Sequence, residues 1–146
     1  MPRHFEKRVL PYPCDFLYGI VADVGQYPDF LPWVKEAIVF NKAPKAFDAK
    51  LVVGYNALVQ TSYTSRVHLT PFERIEIEYL SGPFRHLENR WVFRPLGDHT
   101  TEIEFLIDFS FKNPILQNFM ESFFNQALKT TLKAFEGRAG RVFRDH

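Results

Sequence analysis

Apolar and polar residues alternate along this chain with a period that changes from segment to segment. From Arg3 to Leu10, Phe5 and Val9 oppose Glu6 and Arg8, and Pro11 and Pro13 stop the run, which predicts a first short strand. Cys14-Asp15 opens a helical pattern in which Phe16, Leu17, Ile20, Val21 and Val24 recur, ending near Gly25. Gln26 to Trp33 has no period: two prolines leave room for a single turn, yet the segment carries Tyr27, Phe30 and Trp33. Alternation by twos then returns at Lys35–Phe40. It continues over Ala49–Gln60, where Leu51, Val53, Tyr55, Ala57 and Val59 share a side and Gly54 marks a bend or bulge. Thr61–Thr70, Arg74–Leu80, His86–Leu96 and Thr101–Phe111 extend the series, with turns at Pro44, Ser81-Gly82-Pro83 and Gly97-Asp98. From Asn113 to Arg144 the period lengthens to that of a helix, with proline at the first helical position. Leu116, Met120, Phe123, Ala127, Thr131 and Ala134 form one apolar row, and Phe124, Leu128, Phe135, Ala139 and Val142 a second beside it. Lys129, Lys133, Glu136 and Arg144 lie opposite, so one long amphipathic helix is expected.

Strands that neighbour each other in sequence and keep one wet face curve into an antiparallel sheet whose other face needs a cover. The expected architecture is therefore α+β: a sheet of about six to seven strands wrapped around the C-terminal helix, with two short helical pieces after the first strand. Residues 1–146 read as one domain. A curved sheet closing on a helix leaves space between them, and the wide apolar helix face suits either plain core packing or the wall of a cavity.

Composition sharpens this in a few places. The formal net charge of +1 excludes a general affinity for nucleic acid but not a local basic patch. The single cysteine, Cys14, cannot close an intramolecular disulfide, so a reducing compartment and a small buried apolar role are expected for it. No stretch approaches the ~18 apolar residues of a membrane span, and no apolar run follows the charges of the N-terminus. The expected setting is the cytoplasm, peripheral to the inner membrane of a bacterium; a processed protein of the mitochondrial inner membrane would look similar. The 16 phenylalanines exceed what a small core usually needs and favour a cavity for flat or chain-like apolar ligands.

Catalytic patterns are missing from the sequence. His4, His68, His86, His99 and His146 are never four apart on a helix or beside a cysteine pair, so spacing gives no metal site. The pairs Glu76/Glu78 and Glu102/Glu104 sit two apart on strands but oppose apolar rows, which makes them a solvated face. Gly82-Pro83 is a turn, without the spacing of a phosphate loop. A binding protein, and not an enzyme, is the expectation.

Two segments carry a resemblance: Tyr27-Pro28-Asp29-Phe30-Leu31-Pro32-Trp33, and Ser81-Gly82-Pro83-Phe84-Arg85-His86-Leu87-Glu88-Asn89-Arg90-Trp91-Val92-Phe93. With them the chain resembles, over essentially its whole length, the coenzyme Q-binding branch of the START-like family of polyketide cyclase/dehydrase type. One departure is Val34, where that branch commonly has cysteine after the tryptophan. The resemblance implies a helix-grip fold and a hydrophobic tunnel that holds a polyprenyl quinone such as ubiquinone as bound ligand, with no other cofactor. It also implies a carrier or chaperone role toward respiratory or quinone-biosynthesis proteins at a membrane surface. A sister group of the same branch is described as a toxin of ribosome association, which makes a ribosomal subunit the alternative partner. A cyclase or dehydratase acting on an aromatic polyketide ranks last, because the inward rows are almost wholly apolar.

On this reading Val53, Tyr55, Leu87, Trp91, Phe93, Phe105, Ile107, Phe123, Phe124 and Leu128 meet the tail, and Tyr27, Phe30, Leu31 and Trp33 form the mouth. Asn89 and Tyr55 are the candidates for the head group. Lys129, Lys133, Arg138, Arg141 and Arg144 give the helix end a basic bias suited to anionic lipid or ribosomal RNA, and equally to its own dipole.

Overall fold

Seven antiparallel strands form a single sheet in the order β1-β7-β6-β5-β4-β3-β2. They are β1 (Arg3–Leu10), β2 (Val34–Ala43), β3 (Ala46–Gly54), β4 (Gln60–Thr70), β5 (Arg74–Ser81), β6 (Phe84–Gly97) and β7 (Thr100–Phe111). Three α-helices accompany them: α1 (Cys14–Ala22), α2 (Pro114–Lys129) and α3 (Thr131–Arg144), with a 3₁₀ segment, Val24–Asp29, following α1. The computed structural model describes residues 3–54 and 60–144. The expected strand from Ala49 to Gln60 stops at Gly54, and its continuation, Tyr55 included, lies outside the described residues.

Sequential strands pair as neighbours, and β1 closes onto the last strand, β7. The inward face is set by the alternation of β7, where Ile103, Phe105, Phe109 and Phe111 are all buried, and Leu106 and Ser110 are buried on its other face. Trp91 and Phe93 of β6 lie in register with Phe105 and Ile103, so large rings meet across the ladder. Met120, Phe124 and Leu128 of α2, and Leu132, Phe135 and Ala139 of α3, close over them.

Three local expectations need correction. In β1, Phe5 and Val9 are the exposed residues (48% and 54%), whereas His4, Glu6 and Arg8 turn toward the helices. Leu10 is the cause: it is 1% exposed, and with a side-chain period of two its burial fixes the even-numbered residues on the inner side. Arg8 uses that direction to reach Glu136 of α3 at 3.2 Å.

The C-terminal helix expected as one piece is interrupted at Thr130, whose backbone (φ −104°, ψ 0°) caps α2. The hydroxyls of Thr130 and Thr131 both donate to the carbonyl of Ala127, at 2.9 and 3.1 Å. Back-bonding of this kind bends helices. The start of α2 is as expected: the side chain of Asn113 accepts from the amides of Ile115 and Leu116, and Pro114 fills the first turn. The first helix is likewise shorter than expected, ending at Ala22 before the 3₁₀ segment that contains Pro28.

The turn between β5 and β6 depends on glycine. Gly82 has φ +144°, and a Cβ there would stand 2.6 Å from the Cβ of Tyr63 on β4. At the other end of the sheet Asp48, only 3% exposed, accepts from Arg66 Nε at 2.8 Å and from Asn41 Nδ2 at 2.9 Å. Those bonds, from Arg66 above all, hold its carboxyl below the usual carboxylate range. Cys14 is half-buried and donates its thiol to the carbonyl of Phe72. No helix among the described residues is long and apolar enough to cross a membrane.

Candidate functional site

Between sheet and helices lie two small cavities. The first, ≈ 60 Å³, is bounded by Val24, Tyr27 and Leu31 from the segment after α1, by inward residues of β3 to β7, and by Thr131 and Phe135 of α3. The second, ≈ 20 Å³, lies against Val53, Phe84, Leu87, Phe109, Phe124 and Leu128. Trp33, Tyr63 and Ile107 belong to the walls of both, so these three side chains separate the two spaces. Trp33 also borders an outer groove of ≈ 400 Å³ with Pro32, Lys35, Phe123, Gln126, Ala127 and Thr130. One indole is therefore the partition between the interior and a groove that runs along the break between α2 and α3.

The rings around the first cavity are locked against one another. Phe135 receives Trp91 at 4.8 Å, Phe30 at 5.0 Å and Tyr27 at 5.3 Å between ring centroids, all edge to face. Trp91 meets Phe105 at 4.5 Å. The hydroxyl of Tyr27 donates to the Val21 carbonyl, which ties the 3₁₀ segment to α1. Burial pushes the Tyr27 and Tyr63 hydroxyls well above the ordinary tyrosine range, so both remain neutral donors.

The two cavities differ in polarity. Ser65, Asn89 and Thr131 line the first and not the second, whereas the second has only the Tyr63 hydroxyl and the Trp33 indole as polar side-chain groups among the described residues, both shared with the first. Among the described residues the hydroxyls of Tyr63 and Ser65 have no hydrogen-bond partner, and Asn89 uses only its Nδ2, which donates to the Leu106 carbonyl at 2.9 Å. Two hydroxyl donors and an amide oxygen thus border a space whose other walls are mostly apolar. Among the described residues no carboxylate, imidazole, thiol or amine lines either cavity.

Of the residues singled out in the sequence, Tyr27, Leu31, Trp33, Asn89, Trp91, Phe105 and Ile107 come together around the first cavity. Val53, Leu87, Phe124 and Leu128 border the second. Phe93 lines neither: it packs on Tyr18 of α1 at 5.6 Å. Phe123 faces the outer groove, and Phe30 stands behind Phe135 with the guanidinium of Arg138 5.3 Å above its ring. Lys129, Lys133, Arg141 and Arg144 are exposed on the helices and, among the described residues, form no ion pair. Tyr63, Ser65, Thr131 and Phe135 are cavity residues that the sequence reading did not assign to the site. The available signal was period two in β4, where Tyr63, Ser65 and Val67 share a face; serine in that row hides it.

Comparison with known proteins adds the lineage. The chain is 33% identical to the ribosome association toxin RatA of Pseudomonas aeruginosa, over 98% of this chain and 99% of that protein. It is 32% identical to coenzyme Q-binding protein COQ10 homolog B, mitochondrial, of Xenopus laevis, over 94% of this chain and 58% of that longer protein. Among solved structures, the Zhui aromatase/cyclase of Streptomyces sp. R1128 superposes with a TM-score of 0.82 over 96% of this chain and 94% of that one, at 20% identity, which speaks for the fold alone. The curved seven-stranded sheet closed by a C-terminal helical segment is the helix-grip architecture of these START-like proteins. Residues 10–136 match the family described as polyketide cyclase / dehydrase and lipid transport, and the chain belongs to that family.

Proposed function

We propose that this protein binds a polyprenyl quinone without chemically altering it, the head group in the first cavity and the tail running through the second toward the groove behind Trp33. The observation that carries the reading is the difference in polarity between adjoining cavities: the Ser65 hydroxyl and the Asn89 amide oxygen, without partners among the described residues, lie along the first alone, Tyr63 and Trp33 border both, and the other side chains of the second are apolar. Quinone carbonyls accept hydrogen bonds from neutral donors, and Tyr63 and Ser65 offer them. An isoprenoid tail needs only apolar area, gaining roughly 25 cal/mol for each Å² removed from water. Among the described residues the lining holds no carboxylate, imidazole, thiol or amine, and burial keeps its tyrosine hydroxyls neutral, which supports binding over a catalysis that needs an acid or base aimed at the substrate.

Spaces of ≈ 60 and ≈ 20 Å³ are well below the roughly 300 Å³ at which drug-sized ligands are enclosed. Occupancy therefore requires Trp33 to swing toward the groove and the α2–α3 junction to part, which merges the three spaces. Trp33 and Tyr27, rings with a polar edge, suit a mouth presented to a bilayer, and the exposed cations of α2 and α3 suit anionic headgroups beside it. On this reading residues 1–146 act as one lipid-binding domain, peripheral to a membrane, handing quinone to respiratory or biosynthetic proteins.

The test is a titration with a short-chain ubiquinone, followed by fluorescence of Trp33 and Trp91, the two tryptophans of the chain. Saturable quenching that Ile107→Trp, a side chain large enough to fill both cavities, eliminates is the expected result. Quenching that fails to saturate, or survives that substitution unchanged, rejects the site.

A second reading rests on a separate observation. Lys133, Arg141 and Arg144 stand exposed on α3 without ion pairs among the described residues, a surface that suits RNA phosphates, and RatA is named for ribosome association. It predicts sedimentation with a ribosomal subunit that added salt abolishes; absence of sedimentation at low salt removes it.

A further inference from the structure

On β6 the residues alternate between two roles. Leu87 and Asn89 point to the cavities, whereas His86 and Glu88 point to the outer face of the sheet. The ladder with β7 places Asp108 opposite Glu88 and Ser110 opposite His86, so the four side chains make a square on one face. A nitrogen of His86 and one oxygen each of Glu88 and Asp108 all lie within 4.8 Å of one another. His86 Nε2 stands 3.9 Å from Asp108 Oδ2, too far for a hydrogen bond. Two ligands about 2.0–2.2 Å from a shared tetrahedral ion stand about 3.3–3.6 Å apart, so the side chains would draw in by a few tenths of an ångström or more to close on one ion.

Two polar atoms beside this group are left without partners. Asp108 Oδ1 and Ser110 Oγ are buried with no hydrogen bond, and Ser110 is only 8% exposed. Buried oxygens of this kind are uncommon and call for an occupant. Room for one exists, because the β5–β6 ladder ends at Ile77–Asn89 and the strands beyond it part, leaving an open recess bordered by Glu78, Tyr79, His86 and Glu88. Among the described residues Arg90 is the cation paired with a ligand oxygen, its Nη1 3.4 Å from Glu88, both side chains about half exposed and able to separate; Arg3 of β1 stands opposite Asp108 in the ladder without an ion pair.

We propose that His86, Glu88 and Asp108 bind one divalent transition-metal ion on the outer face of the sheet, with the hydroxyl of Ser110 completing the set. An imidazole with two carboxylates is a borderline-hard donor set, which selects ions of the zinc type over calcium or magnesium. Local spacing gave no such site, because two of the four donors come from the neighbouring strand.

The experiment is calorimetric titration of Zn²⁺ into the chelator-stripped full chain in a non-coordinating buffer. One ion per chain is expected. His86→Ala and Asp108→Asn should each weaken binding at least ~10-fold, with a smaller loss in Ser110→Ala and none in His99→Ala, which alters an exposed turn. All of these positions lie on the outer face or in a turn, so a thermal melt of each variant verifies folding. Absence of saturable binding, or an isotherm unchanged by His86→Ala, overturns the assignment. Binding that persists in His86→Ala but falls in His68→Ala places the ion at the His68–Glu78 pair and overturns it equally.

Discussion

The interior between sheet and helices and the outer surface of α3 differ in almost every physical respect. The cavity walls are neutral, aromatic and mutually locked, with ring contacts of 4.5 to 5.3 Å around Trp91 and Phe135. The outer helix surface is basic, and its Lys133, Arg141 and Arg144 are exposed and form no ion pair among the described residues. A neutral interior can gain affinity only from area and a few neutral hydrogen bonds, whereas an exposed basic surface gains it from screened charge. The two relatives' names divide the same way, one for a quinone and one for the ribosome. The regions meet at the Thr130–Thr131 break, so both activities, if present together, would act through one junction.

The largest effect expected is at Leu128, 3% exposed beside the second cavity. Leu128→Arg buries a charge without a partner and should cost about 3–5 kcal/mol, with loss of bound lipid. Thermal melting and lipid content are the measurements, and a folded variant with unchanged lipid would mean that the tail path lies elsewhere. Gly82→Ala comes next, at about 2–3 kcal/mol, because it combines φ +144° with a clash against Tyr63. Chemical denaturation should show the loss, and quinone affinity should fall with it while salt-sensitive surface binding does not.

Smaller effects separate the regions further. Tyr63→Phe and Ser65→Ala each remove one neutral donor, about 1 kcal/mol or several-fold in quinone affinity. Arg141→Glu with Arg144→Glu should leave that affinity alone and weaken binding to anionic vesicles by about 1 kcal/mol for each cation removed. Acidity acts on a third part of the molecule. Asp48 and Glu104 are held below the ordinary carboxylate range, by Arg66 and Arg94 respectively, so the unfolded chain binds protons that the folded chain refuses. Their stabilisation is complete above about pH 5, beyond the unfolded values of both groups, and is lost as the pH falls through the depressed folded values. Denaturant midpoints should drop there, while quinone affinity, with no histidine or carboxylate among the described lining residues, stays flat from about pH 5 to 8.

How far these features were legible depended on whether they were local. The strand β7 was plain because its alternation is long, and it fixed the inner face for Trp91 and Phe105 as well. The strand β1 misled because its two apolar residues lie on the face opposite to Leu10, and one core residue at the end of a short strand outweighs two at its middle. The break at Thr130 carries no proline or glycine; it arises from two adjacent hydroxyls competing for one carbonyl, a choice that tertiary packing settles. Tyr63 and Ser65 of β4 share a cavity with Asn89 of β6 through the pairing and curvature of the sheet, which no local window contains. The square of His86, Glu88, Asp108 and Ser110 was hidden for the same reason.

The most direct test of the central claim is organic extraction of the protein purified from its own membranes at native abundance, with mass spectrometry of the extract. A polyprenyl quinone near one per chain, depleted in Leu128→Arg and in Ile107→Trp, is the result expected of a lipid site behind Trp33. An extract without quinone, from protein that instead sediments with ribosomal subunits, would contradict it and leave the aromatic interior as core.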